Sequence, residues 1–240
     1  MLTTVLFDLD GTLLPMVQED FVRAYFGNLA KFAAPYGYEA KPLVDTLWKG
    51  TAAMVQNDGA KTNREVFWDI FAAAYGEQAR AHEAVFEEFY ATDFNLAQSA
   101  CGFAPEAAET VEFLKANGIR CVLATNPIFP AVATQARIRW AGLHAEDFEF
   151  ITTYENSRHC KPNPQYFADV LEQIGCKADE CLMVGNDAVE DMASQEVGIP
   201  VFLLTPCLIN PKGRDLSDIP HGGFAELKRE LTCKMENAKK

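Results

Sequence analysis

Five short segments decide most of what this 240-residue chain can fold into: Thr4–Leu9, Arg120–Thr125, Phe150–Thr153, Cys181–Val184 and Val201–Thr205. Each is rich in β-branched and large apolar residues, and its apolar character is nearly continuous rather than alternating. A strand with one wet face alternates, whereas a strand covered on both faces does not. Helical stretches lie between the last four segments, and such crossovers are what parallel strands require. The pattern predicts an α/β fold built on a doubly wound parallel sheet. The helix ends agree with it. Asn117-Gly118, Gly142, Gly175 and Gly198 each follow an amphipathic run, where glycine suits a left-handed C-cap, and Pro105, Pro130 and Pro164 stand where helices should start.

The stretch between the first and second strands is far longer than one crossover needs. Phe21, Tyr25, Leu29 and Phe32 recur at helical spacing there, as do Val66, Ile70 and Ala74, and then Ala81, Val85 and Phe89. Thr62-Asn63-Arg64-Glu65 has the form of a capping box. The expected organisation is a Rossmann-like core over residues 1–14 and 99–240, with a small helical domain, 15–98, inserted into it.

Composition narrows the function classes. A formal net charge of −13 disfavours nucleic acid, whose phosphates are held mainly by Lys and Arg. No apolar run reaches the length of a membrane helix and no basic, apolar leader opens the chain, so the expected setting is cytoplasmic with no membrane partner. The seven cysteines form an odd set without a C-x-x-C pair, which argues against a disulfide framework and a zinc site. Oligomeric state is not legible.

The residues that carry chemistry stand at strand ends, the edge at which open α/β sheets bind ligands. The first strand stops abruptly in Asp8-Leu9-Asp10-Gly11-Thr12. A carboxylate there can attack phosphorus to give an acyl phosphate, and a second carboxylate two residues on can protonate the leaving alkoxide and later deprotonate water. Alone, two aspartates and a glycine are also ordinary turn chemistry. The second strand ends in Thr125-Asn126-Pro127, whose hydroxyl and amide can bond phosphate oxygens. Lys161 precedes a helix that Asn163 can cap, near an end that favours anions. The fourth strand leads into Gly185-Asn186-Asp187-Ala188-Val189-Glu190-Asp191, where Asp191 reads nearly evenly as a helix-start residue and as a metal ligand, and Asp187 more readily as a ligand.

Charge favours the second reading. A phosphate beside Asp8, Asp10 and Asp187 would feel roughly 4 kcal/mol of repulsion per unit-charge pair at contact distance near a protein surface. Lys161 alone cannot cancel that, whereas a magnesium ion bridging phosphate and carboxylates can.

With these four stations in order, the chain resembles the haloacid dehalogenase superfamily on its phosphatase side. The match is sharpest in Asp8-Leu9-Asp10-Gly11-Thr12, good for Lys161-Pro162 and for Gly185 through Asp191, and modest for Thr125-Asn126. The resemblance implies a Rossmann-like core, a cap between the first and second motifs, and Mg2+ as cofactor. It implies Asp8 as nucleophile and metal ligand, and Asp10 as acid/base and as ligand through its carbonyl. Thr125, Asn126 and Lys161 would bind phosphate, and Asp187 the metal, with Asn186 and Asp191 as further candidates. One departure stands out: similar sequences have Gly-Asp where this one has Gly185-Asn186-Asp187, so either Asn186 takes the metal position or Asp187 does, and Asp187 is favoured.

The expected activity is magnesium-dependent hydrolysis of a small phosphorylated metabolite. A phosphomutase, a dehalogenase or a catalytically silent binding module are the competing readings. Substrate choice should lie in the cap. Lys49, Asn63 and Arg64 are the candidates there for a substrate's distal group, while Tyr25, Phe26, Trp48 and Trp68 read as cap core.

Overall fold

The structure, a computed structural model, describes residues 1–237. Six strands form one sheet: β1 (Thr4–Phe7), β2 (Arg120–Leu123), β3 (Phe150–Ile151), β4 (Cys181–Gly185), β5 (Val201–Leu204) and β6 (His221–Gly222). Their order is β3-β2-β1-β4-β5-β6 and every pairing is parallel. The chain runs outward from β1 on one side and outward from β4 on the other, so the order reverses between β1 and β4, the switch point of a doubly wound sheet. Five of the strands are those expected, most of them ending a residue or two sooner. The sixth, only two residues long, carries no apolar run.

Alternation of side chains divides the core in two. Val5, Phe7, Leu123 and Val184 face one way, into a cluster that continues through helices α5 (Pro105–Ala116), α6 (Ala131–Trp140) and α8 (Phe224–Asn237). Leu6, Val122, Met183 and Leu203 face the other way, against Tyr166, Phe167 and Val170 of α7 (Pro164–Ile174). Both faces of each central strand are dry, which explains the unbroken apolar runs.

Between β1 and β2 the chain passes through α1 (Gln18–Ala33), α2 (Ala40–Val55), α3 (Asn63–Tyr75) and α4 (Glu83–Ala91), with short 3-10 turns between and after them. Thr62 caps α3 reciprocally: its hydroxyl accepts from the Glu65 N–H while its own N–H donates to the Glu65 carboxylate. The buried face of α3 differs from the expected one. Trp68, Phe71 and Ala72 turn inward and Ala74 lies outside, because aromatic burial outweighs the smaller apolar stripe.

This helical segment is tied to the sheet layer by aromatic packing and by polar pins. Phe94 is fully buried, stacks on Trp140 of α6 at 5.0 Å between centroids, and meets Phe21, Tyr25, Phe89 and Tyr90. At the start of α3 the backbone N–H groups of Asn63 and Arg64 donate to the carbonyls of Ser157 and Tyr154. Phe94→Ala should lower unfolding free energy by about 3–5 kcal/mol, measured by denaturant titration. A loss below about 1 kcal/mol would mean that this aromatic junction does not hold the helices to the sheet.

Candidate active site

Asp8 follows β1 directly, and its N–H still donates to the Val184 carbonyl, so the carboxylate leaves the sheet at the carboxyl edge between β1 and β4. Its side chain is held from two sides. Lys161 Nζ donates to Oδ1 at 3.0 Å and the Thr12 hydroxyl donates to Oδ2 at 3.1 Å. Burial pushes the Asp8 carboxyl up to about 7; Lys161 opposes that shift, and Asp191 and Asp10 add to it. Asp8 thus holds its proton more tightly than a carboxyl in water, chiefly because it is buried.

The chain reverses at Gly11, whose φ of +85° is in the left-handed region, and a Cβ there would meet the Asn186 amide at 2.3 Å. That reversal brings Asp10 and Thr12 back over the strand ends. One Asp10 oxygen, Oδ2, accepts from the guanidinium of Arg137, which is 1% exposed, while Oδ1 is buried without a hydrogen-bond partner. Burial raises the Asp10 carboxyl and Arg137 pulls it partly back. Arg137 is fixed in turn by the Ala133 carbonyl, the Thr134 hydroxyl and the face of Phe129, 4.2 Å from the ring centroid.

Lys161 has no solvent exposure and donates a second bond, 2.7 Å, to Asp191 Oδ1. The other Asp191 oxygen accepts from the backbone N–H groups of Asn186 and Asp187, both at 2.9 Å. Asp191 therefore engages both oxygens within the protein and is the anchor of Lys161. Gly185 permits that anchor: a Cβ there would stand 2.0 Å from an Asp191 oxygen. Asn186 is also engaged. Its Oδ1 lies 2.9 Å from the Thr12 hydroxyl, whose single proton it shares with Asp8 Oδ2, and its Nδ2 donates to the Cys207 carbonyl at 2.8 Å. Asp187 uses Oδ1 to cap the N–H groups of Val189 and Glu190. Asn186, Asp187 and Asp191 all line the cavity with Asp8, and of the three Asp187 keeps the freer oxygen.

Thr125 is buried, its carbonyl clamped by the Thr152 and Tyr166 hydroxyls at 2.7 and 2.9 Å. Asn126 donates to Glu190 Oε2 at 3.0 Å, and its own Oδ1 is buried without a partner. Burial pushes Glu190 up to about 8, with Lys161 opposing and Asp191, Asp187 and Asp8 adding to the shift. Three participants carry no role in the sequence reading: Arg137, Glu190 and the Thr12 hydroxyl. Arg137 had a signal, a cation between Ala136 and Ile138 in a helix whose buried face includes Ala133 and Thr134.

The cap candidates do not meet the site. Lys49 is exposed in the middle of α2, away from the cavity lining. Asn63 is fully buried and bonds the Pro127 carbonyl and Cys160 Sγ, while Arg64 forms a bidentate pair with Glu83 at 2.6 and 2.7 Å. Tyr25 and Trp68 are buried in the core as expected and Phe26 packs against it, but all three also line the cavity, as does Trp48, which is 50% exposed.

The donor set suits a hard divalent cation. Asp8, Asp187 and Glu190 offer only oxygen, two of them with raised affinity for protons, and a buried cation's charge would relieve what raises them. Among the described residues, no three acidic, cysteine or histidine side chains enclose an ion by themselves. Magnesium retains waters and phosphate oxygens in its shell, so two carboxylates suffice.

Residues 2–196 match a family described as haloacid dehalogenase-like hydrolase. Phosphoglycolate phosphatase 1 of Pseudomonas aeruginosa is 28% identical over 202 residues, covering 84% of this chain and 68% of that protein. Pyrophosphatase PpaX of Bacillus cereus is 24% identical over 203 residues, covering 82% and 80%. In fold, the chain is similar to a 2-haloacid dehalogenase from Pseudomonas syringae (TM-score 0.60, 22% identity, 97% and 99% covered). It is also similar to CbbY from Rhodobacter sphaeroides in complex with phosphate (TM-score 0.58, 19% identity, 95% and 96% covered). This chain belongs to the haloacid dehalogenase-like hydrolases.

Proposed function

We propose that the protein is a magnesium-dependent phosphatase acting on a small phosphate monoester through a phosphoryl group carried by Asp8. The observation that carries this reading is the pairing of Asp8 with a fully buried Lys161 at the floor of a cavity, with Asp10 two residues away. The curated relatives are named as phosphatases, which agrees with it. The helices of residues 15–98 act as the cap in this reading.

In the first step an Asp8 oxygen attacks phosphorus as the bond to the leaving oxygen breaks, and Asp10 gives that oxygen its proton. The unpartnered Asp10 Oδ1 is the oxygen able to carry the proton, since Oδ2 is committed to Arg137. In the second step water attacks the acyl phosphate, Asp10 takes back a proton and Asp8 is released as a carboxylate. Lys161 offsets the charge of Asp8, and the Thr12 hydroxyl fixes its plane. Thr125 and Asn126 line the same cavity as neutral donors for phosphate oxygens, Asn126 by turning its amide from Glu190 and the Lys161 carbonyl. Asp8 and Asp187 would hold the magnesium ion, with the Asp10 carbonyl, and the ion would supply the positive charge that lets a phosphate approach this acidic floor.

A dehalogenase has no leaving alkoxide to protonate, so Asp10, its arginine partner and the acidic turn after β4 favour the phosphatase over that reading. Asp8→Asn should retain the fold by circular dichroism and lose about 1,000-fold or more in turnover of p-nitrophenyl phosphate. Undiminished turnover in that variant would remove Asp8 from the chemistry. Chelation should abolish turnover and added magnesium restore it, and magnesium should raise the melting temperature of the wild type more than that of Asp187→Asn. Equal shifts in both proteins would exclude Asp187 as a ligand.

A further inference from the structure

Above the catalytic floor lies a cavity of about 440 Å³, far more than a phosphoryl group occupies. Tyr25, Phe26, Trp48, Phe67, Trp68 and Tyr90 wall it. Their packing is mostly tilted or edge-on, as with Phe26 and Trp48 at 5.3 Å, and this leaves ring faces turned in different directions. No lysine, arginine or histidine lines the cavity among the described residues. Lys161 and Arg137 lie behind Asp8 and Asp10, each committed to a carboxylate. Arg64 is spent on Glu83, and Glu83, Glu19 and Glu87 add carboxylates to the wall.

A second negative charge on the substrate would therefore enter an acidic, aromatic chamber without a cation to receive it. Magnesium would be consumed by the phosphoryl end. An apolar ring or branched alkyl group gains instead, because it takes aromatic surface out of water and brings no negative charge toward the exposed carboxylates of Glu19 and Glu87.

Granting the phosphatase reading on which it rests, we infer that the substrate's leaving group is a bulky, apolar alcohol without negative charge. It is thus unlike the carboxylate-bearing glycolate or phosphate leaving groups for which the curated relatives are named.

The test compares kcat/KM of the full chain with magnesium on 2-(1-naphthyl)ethyl phosphate, phosphoglycolate and pyrophosphate. The naphthyl ester should exceed both by about 100-fold or more. A preference for phosphoglycolate or pyrophosphate overturns the inference, while Asp8-dependent turnover of any ester still upholds the phosphatase. Absence of turnover on every ester, p-nitrophenyl phosphate included, defeats the phosphatase and the inference with it. Thr51, half-buried on α2, also lines the cavity. Thr51→Arg supplies the missing cation, and should shrink the naphthyl-to-glycolate ratio by about tenfold. An unchanged ratio in the folded variant would show that wall charge does not set the preference.

Discussion

A fully buried lysine held between two carboxylates organises this protein's catalytic edge. Lys161 joins the end of β1, through Asp8, to the turn after β4, through Asp191, and itself arrives on the loop before α7. Three segments distant in sequence are thereby fixed by one ammonium group. Neither the lysine nor Asp191 could be buried alone, because an unpaired charge in a dry interior costs several kcal/mol. Asp191 is further tied by two backbone N–H groups, so the ammonium rests on a rigid support and Asp8 inherits its position.

The same arrangement leaves the floor short of positive charge. Asp8, Asp10, Asp187, Glu190 and Asp191 gather around Lys161 and Arg137, and three of the acids hold their protons more tightly than in water. Such a surface would repel phosphate without a cation, and under the proposed function metal binding and substrate binding would be coupled. Above it the wall is largely aromatic, so in the proposed reading an ionic end would handle phosphorus and the aromatic end whatever phosphorus is attached to.

Much of this was legible in the sequence, for physical reasons that differ by element. The central strands announce themselves because both faces are dry, whereas β6, at the sheet edge and two residues long, buries too little to leave a pattern. The motif aspartates and Lys161 could be placed at one edge because parallel strands all end there. What could not be read was partnership across the fold. Arg137 reaches Asp10 from a helix 127 residues away, and although its apolar neighbours hint at burial, nothing local names the carboxylate it meets. The cap failed in the opposite sense: polar Asn63 and Arg64 were consumed by hydrogen bonds to the core loops and to Glu83, while aromatic side chains assigned to packing turned part of their surface to the cavity. Helical spacing says which residues share a face, not which of two faces meets a cavity.

The account stands on a covalent phosphoryl group at Asp8, and that group can be sought directly. Acid quenching during turnover, borohydride reduction and peptide mapping by mass spectrometry would convert an aspartyl phosphate into homoserine. Homoserine at position 8 is the predicted result. Homoserine at another aspartate, or none in a sample that shows a burst of alcohol release, would contradict the account.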